Sequence, residues 1–528
     1  MKRERSKKHR ALQFVRVAVQ ALFFALFLYL LFGTHFAGKD YIGDVEAFFH
    51  FDPLLAIASA VASRTAFAAF GWAALTIVVT LLLGRVVCGW VCPLGAVHQF
   101  FSWLFKKTKL LRPRKAVTGG LWWKYFVLTF VLVSAVFTLD IVGFFDPLSF
   151  LYRTAATSVV PAFGHGFTML TGLAYDAHLT GLGDALTQFY EKLTVNATFR
   201  GGFVIGLIFL GLVLLNMWRE RFWCRYVCPA GAFLGVASRW SVFKLKVDEE
   251  KCIKCNLCTL HCETQAHPYP EKDWKNPECI YCETCAAICP TAAITFPVRR
   301  KDEKAPAVDL SRRKLLLASF LAFFSVPFFR ISPAAKRAHE KLIRPPGALP
   351  EPEFLRKCVK CGECMKACPT NGLQPALAEA GPEGVWTPVL VPKVGYCEYY
   401  CSLCSQVCPT GAIKELAIPE KTTVKIGTAW VNKNRCIPYF LGRPCIVCEE
   451  HCPTSPKAIK FVMVETKLPD GTVATQKAPV IDLDLCIGCG ICENKCPVMD
   501  DPAIYVTSVG EQRSKENQFL LQVAPGNK

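Results

Sequence analysis

The chain has 528 residues, 52% of them apolar, with 28 cysteines and a formal net charge of +19. That length allows three or four domains with real cores, which excludes the small secreted scaffolds that use disulfides in place of a core. The apolar share points to membrane segments, and the charge fits either a nucleic-acid surface or the basic loops that orient a membrane protein.

In chain order, a basic start leads into four long apolar runs, Val17–Phe32, Ala66–Leu83, Tyr125–Leu139 and Gly201–Trp218. Each approaches the roughly 20 residues that cross a bilayer, so a bundle of four transmembrane helices is expected. Ala155–Ala174 is also uncharged, but Pro161 and three glycines mark it as re-entrant or interfacial. The N-terminus, the Lys106–Lys115 loop and Arg219–Arg225 are basic, whereas 34–65 and 144–199 each hold two basic residues against four acidic ones. The positive-inside rule then puts both ends of this region in the cytoplasm.

The runs form two repeated helix hairpins. The first leads to Phe51-Asp52-Pro53-Leu54 and the second ends at Cys88-Gly-Trp-Val-Cys92-Pro93; the third leads to Phe145-Asp146-Pro147-Leu148 and the fourth ends at Cys224-Arg-Tyr-Val-Cys228-Pro229. Residues i and i+4 of a helix share a face, so each pair of cysteines offers two sulfurs side by side. Two readings stand for Cys88, Cys92, Cys224 and Cys228: one four-sulfur metal or redox site, or structural thiols at helix ends stopped by proline. No span contains histidine, which argues against a bis-histidine haem. Asp52 and Asp146, with His50 and Asp140 nearby, are candidates to take protons from a quinol oxidised near the outer face. The alternative for the two Asp-Pro pairs is a turn or a helix cap.

The other 24 cysteines fall into six groups of four. Cys279, Cys282, Cys285 and Cys289, then Cys358, Cys361, Cys364 and Cys368, then Cys486, Cys489, Cys492 and Cys496 keep the full C-x2-C-x2-C-x3-C-P form. Cys252, Cys255, Cys258 and Cys262 have the same spacing but Glu263 in place of the proline. Cys397, Cys401, Cys404 and Cys408 have one extra residue after the first cysteine, and Cys436, Cys445, Cys448 and Cys452 have the eight-residue stretch IPYFLGRP there. This is the bacterial ferredoxin spacing, in which three close thiolates hold one [4Fe–4S] cluster and the fourth ligates its neighbour. Zinc also takes four thiolates, but through two CxxC knuckles a longer loop apart.

Six [4Fe–4S] clusters are therefore expected, in small α+β ferredoxin-like modules of two clusters each. The first module pairs Cys252, Cys255, Cys258 and Cys289 on one cluster and Cys279, Cys282, Cys285 and Cys262 on the other. The last four groups make two more modules, paired sequentially or nested; the regular outer and irregular inner groups favour nesting. There is no CxxCH for a c-type haem and no GxGxxG for a nucleotide.

Ser311-Arg312-Arg313-Lys314-Leu-Leu and an apolar run to Phe329 resemble a twin-arginine export signal. The alternative is a short buried or interfacial helix, since Pro327 and the short run are marginal for a span. A proline-rich linker, Arg344-Pro-Pro-Gly-Ala-Leu-Pro350, follows. The domains expected are a four-helix membrane domain over 1–240, a cytoplasmic two-cluster module over 245–298, the signal helix and linker over 299–350, and a four-cluster, exported domain over 351–528.

With CGWVCPLGA and CRYVCPAGA followed by a two-cluster module, the first part resembles the NapH quinol dehydrogenase subunit. The part from Ser311 onward resembles its four-cluster ferredoxin partner NapG, and MauN and MauM are similar. The doubled CxxxCP motif is shared with NosR and CcoG. The resemblance implies a single-chain fusion that sits in the bacterial inner membrane. It would oxidise quinol from the membrane pool and pass electrons through the clusters to a periplasmic oxidoreductase or c-type cytochrome. The alternative it implies is a NosR- or CcoG-like donor of electrons to a metal centre in a partner. Nothing matches the flavin-attachment motif of NosR, so no covalent flavin is expected. Six clusters at −2 each would bring the net charge to about +7, and no nucleic-acid partner is needed to explain it.

Overall fold

A computed structural model of the chain describes residues 2–34, 46–65, 68–109, 120–193, 197–270, 274–298, 311–330, 339–467 and 471–519. Residues 66–67 of the second apolar run, 110–115 of the basic loop and 299–310 before Ser311 lie outside the described residues. The chain divides into two compact units. The first comprises Met1–Phe32, Asp44–Ala155 and Phe203–Val326; the second comprises Gly33–Gly43, Ala156–Gly202 and Pro327–Lys528. The first ferredoxin module, 245–298, falls in the same unit as the repeat.

In the first unit, proline starts the helices that matter. Asp52 caps Pro53–Ser63, its Oδ1 accepting from the amides of Leu54 at 2.9 Å and Leu55 at 3.1 Å. Asp146 caps Pro147–Thr154 in the same way through Ser149 at 2.7 Å. Proline tolerates the first helical turn because its missing N–H would have no partner there. The same rule places Cys92 and Cys228 as caps of Pro93–Lys107 and Pro229–Ala237. Each C-x3-C is therefore not one helical face. The preceding turns, Val86–Trp90 and Phe222–Tyr226, stop where the residue before proline must leave the α region.

The four expected spans are shorter as helices than as apolar runs. Among the described residues one helix, His9–Gly33, is long and apolar enough to cross a membrane; Trp72–Leu83, Trp122–Val136 and Gly202–Met217 are shorter apolar helices. At 1.5 Å per residue they reach about 18–24 Å, against about 30 Å of hydrocarbon. Local breaks set their ends. Gly84 turns out of the helix at φ +76°, where a Cβ would lie 2.2 Å from the Tyr281 ring. Thr138 takes a left-handed conformation after Val136. These helices still present apolar side chains outward, Trp72, Leu75, Val78 and Leu82 on one and Phe203, Leu207 and Leu210 on another.

The first ferredoxin module pairs Lys246–Val247 with Ile294–Thr295 antiparallel, beside the short helices Leu257–Leu260 and Thr284–Ile288. Its core holds Leu245, Val247, Trp274, Tyr281 and Ile294 together with Cys279 and Cys285. The segment after Ser311 is a helix, Arg312–Arg330, that runs beside Trp122–Val136, with Phe323 against Phe137 and Lys314 over the Trp122 ring.

Ala155–Ala174, expected as a re-entrant or interfacial segment, is helical throughout. A π-helical turn, Ala155–Val159, leads into the α-helix Val160–Asp176, whose second position takes Pro161. That helix packs against Thr180–Leu193, and Tyr175 donates to Asp184 at 2.8 Å. Among the described residues, the rest of the second unit is short helices and loops around three antiparallel pairs: Leu373–Pro375 with Pro388–Leu390, Thr428–Val431 with Ile504–Thr507, and the hairpin Ile459–Lys467 with Val473–Ile481.

Candidate functional site

The cysteine runs converge as the spacing requires. Cys252, Cys255, Cys258 and Cys289 line one cavity; Cys368, Cys397, Cys401 and Cys404 line a second; Cys452, Cys486, Cys489 and Cys492 line a third. In each, three thiols come from one run and the fourth from its neighbour. The remaining thiols group alike. Cys262 adjoins Cys279, Cys282 and Cys285; Cys408 adjoins Cys358, Cys361 and Cys364; Cys496 adjoins Cys436. The last four runs are therefore paired sequentially, which corrects the nested expectation. The helix Glu363–Ala367 packs on Leu403–Gln406, and Val447–Glu450 packs on Ile491–Lys495.

The backbone explains the regular and irregular runs. In the four evenly spaced runs the residue after the second cysteine is left-handed: Asn256, Glu283, Gly362 and Gly490. In the two with insertions, Ser402 and Ile446 occupy that place at φ −128° and −125°. The added residues remove the need for the left-handed turn.

The residues fit iron–sulfur clusters. The donor sets are all thiol, and backbone amides point at them: Ala266 to Cys262 Sγ at 3.2 Å, Ala293 to Cys289 at 3.3 Å, Ile413 to Cys408 at 3.5 Å. Burial pushes the Cys262 and Cys358 thiols up to about 11, and iron coordination supplies the driving force to deprotonate them. Among the described residues no group of three or more His, Cys, Asp or Glu closes around a single metal ion.

The CxxxCP repeat forms a different site. A cavity of about 500 Å³ in the first unit is lined by Cys88, Cys92, Cys224, Cys228 and Arg85. Its other walls are apolar, with Phe23, Leu26, Phe48, Phe51 and Leu75, and carry Asp52 and Thr76. All four repeat cysteines are thus brought to one place, and Cys228 Sγ accepts from the Gly231 amide at 3.2 Å. Asp52 and Asp146 both serve as caps, as the alternative reading expected, and both side chains are buried. Asp146 is fully buried and does not line the cavity. Asp140 accepts from Ser59 at 3.2 Å and from the Val142 amide at 3.1 Å, and the His50 ring lies against Phe70. Neither is among the cavity's lining residues.

The repeat also contains residues that the sequence reading passed over. Arg85 stands three places before Cys88, and Arg221 three places before Cys224. Both side chains are buried, at 2% and 1% exposure. Arg85 Nη1 donates to the Pro277 carbonyl at 2.6 Å and lies 3.5 Å from Glu278, which also binds Lys124 and, at 2.8 Å, the Tyr125 hydroxyl. Arg221 Nε lies 3.1 Å from Glu263, with Arg16 at 3.9 Å from the same carboxylate. The signal was present as R-x2-C-x3-C-P-x-G-A, repeated in full at Arg85–Ala96 and Arg221–Ala232.

Family models for 4Fe–4S binding domains match 65–112 and 201–248, and a second such model matches 245–266 and 479–499; a 4Fe–4S dicluster domain matches 357–412. The first matches fall on the two halves of the CxxxCP repeat. No solved structure matches the chain. The methylamine utilization ferredoxin-type protein MauM of Methylorubrum extorquens is 41% identical over 110 residues, 20% of this chain and 48% of that protein. The ferredoxin-type protein MauN of the same organism is 27% identical over 237 residues, 44% of this chain and 66% of its own length. The chain thus spans about half the length of some curated relatives that it matches. An uncharacterized protein of Methanocaldococcus jannaschii is 30% identical over 204 residues, 38% of this chain and 67% of that protein. With these domains and relatives, the chain is an iron–sulfur electron-transfer protein, and it belongs to the family of that Methanocaldococcus jannaschii protein.

Proposed function

We propose that the protein oxidises membrane quinol and delivers the electrons through six [4Fe–4S] clusters to a periplasmic oxidoreductase or cytochrome, as a fusion of NapH-like and NapG-like parts. The observation that carries this reading is the cavity of about 500 Å³ that joins an apolar mouth to the four repeat cysteines. Its size and its few polar groups suit a quinol ring. Oxidation releases two electrons and two protons, and the clusters, when bound, accept electrons one at a time. Asp52 stands at the cavity wall to receive a proton.

The outward apolar faces of Trp72–Leu83 and Gly202–Leu214 favour lipid contact, with bilayer thinning or flanking segments making up the missing length. Export of the last four clusters is favoured by contacts inside the second unit. Asn371 Nδ2 donates to the Thr198 carbonyl at 2.7 Å, and the Arg200 amide donates to Gln374 at 2.8 Å. Thr198 lies in the loop that charge assigns to the outer face. The Cys397 amide also donates to the Cys489 carbonyl at 2.8 Å. The thiol sets of Cys368 and Cys397 to Cys404, and of Cys452 and Cys486 to Cys492, are therefore neighbours in the middle of the four-cluster array.

The test is anaerobic addition of quinol to membranes containing the chain, with cluster reduction followed by EPR. Reduction of the clusters within the time of turnover is expected. Clusters that dithionite reduces and quinol does not would reject quinol oxidation and leave the reading of a donor to a partner's metal centre.

A further inference from the structure

We propose that Arg85 and Arg221 are positioning residues that tie the four-cysteine membrane site to one cluster of the first ferredoxin module, held by Cys262, Cys279, Cys282 and Cys285, and raise the reduction potential there. The inference rests on the electron-transfer reading above, but not on quinol as the donor.

Each arginine reaches from its own repeat to the turn of the other. A Cβ on Gly231 would lie 2.9 Å from Arg85 Nη2 and 3.4 Å from Cys228 Sγ; a Cβ on Gly95 would lie 3.7 Å from Arg221 Nη1 and 3.6 Å from the Cys92 Cβ. Glycine at 231 makes room for the Arg85 guanidinium, whereas at Gly95 the close neighbour is the Cys88 carbonyl, 2.9 Å from such a Cβ, and Arg221 lies in ordinary contact. On their far sides the arginines hold the module at two points of one thiol set. Pro277 and Glu278, bound by Arg85, directly precede Cys279. Glu263, bound by Arg221, directly follows Cys262. All five other runs have proline after their last cysteine, so Glu263 is the departure from pattern and Arg221 gives it a purpose.

The charge count points the same way. Arg85 and Lys124 face Glu278, and Arg221 and Arg16 face Glu263. Each side holds two cations and one carboxylate, which leaves one uncompensated positive charge per repeat. Arg85 Nε has no hydrogen-bond partner in this buried place. A buried cation favours whichever redox state is more negative, and net charge and hydrogen bonding set cluster potentials.

The test is a mediator titration of the whole chain in detergent, followed by EPR, with iron content measured on each variant. Arg85→Gln and Arg221→Gln should lower the reduced fraction of one or two waves about tenfold at fixed potential, a downward shift of about 59 mV for a one-electron couple. The remaining waves should stay in place, and Arg85→Lys and Arg221→Lys should recover most of the shift. Glu263→Gln should move the same waves upward, because it frees Arg221 from its counter-charge. Glu263 is 20% exposed, so this variant decides the matter if the arginine variants lose iron. Full iron content with unmoved midpoints in Glu263→Gln, or an equal shift of every wave, would overturn the proposal. Since mediators supply the electrons, a chain that ignores quinol leaves this result readable.

Discussion

The two units hold cysteines in unlike ways. In the second, short strands and loops carry four thiol sets, and backbone amides such as Ile413 in a loop and Ala429 in a strand turn toward Cys408 and Cys486. Arg344 is as buried there as Arg221 is in the first unit, but it binds Glu351, Thr387 and the Pro388 carbonyl and serves as a staple between loops. In the first unit the repeat cysteines stand at the ends of helices. A helix uses its own amides internally beyond the first turn, so only first-turn amides such as Gly231 face these thiols, and the buried guanidinium groups of Arg85 and Arg221 would add positive charge there, as proposed above. Loop amides face the ferredoxin thiols in both units; the buried arginines beside cysteines belong to the helical repeat.

The sharpest way to break this comparison is to remove a crossing cysteine. Cys408→Ala should cost the centre of Cys358, Cys361 and Cys364, about four iron atoms per chain by chemical assay, while the signal of Cys397, Cys401 and Cys404 persists. Loss of the latter signal instead would restore a different pairing. Next in size, Glu278→Ala leaves Lys124 and Arg85 buried without their carboxylate. A cost of about 3–5 kcal/mol is expected, read as a lower thermal midpoint of the first unit with little change in the second.

Asp52→Asn tests the cavity apart from the fold. Asparagine caps helices about as well as aspartate, so stability should hold. Cluster reduction by quinol should slow about 10²–10⁴-fold, with reduction by dithionite unchanged. A variant that keeps its quinol rate would remove Asp52 from proton transfer.

The smallest effect concerns acid. Burial opposes ionisation of Glu351, but Arg344 and Arg513 overcome it and hold the carboxyl down at about 2, below its ordinary 4.5. A depressed carboxyl stabilises the fold fully above about pH 4.5 and loses that contribution as pH falls toward 2. Its side chain is 27% exposed, so solvent screening limits the effect to about 1–2 kcal/mol. Glu351→Gln should flatten the acid limb of the second unit's stability curve, measured by denaturation between pH 5 and about 2.

The sequence by itself determined the thiol groups, the exchange of the fourth cysteine and the doubled repeat, because ligand spacing and proline act over a few residues. Asp52 and Asp146 were legible as caps for the same reason. It misjudged the extent of the helices, because hydropathy does not register a left-handed break at Gly84 or Thr138. It also favoured nesting of the last four runs, since the order of regular and irregular motifs carries no distance. Only the tertiary structure decided that Cys358 to Cys364 meet Cys408 and that Arg85 and Arg221 cross to each other's turn. Those are meetings of residues far apart in the chain. They are fixed by where helices and loops pack and by the need of buried charges for partners, which a local pattern of residues does not encode.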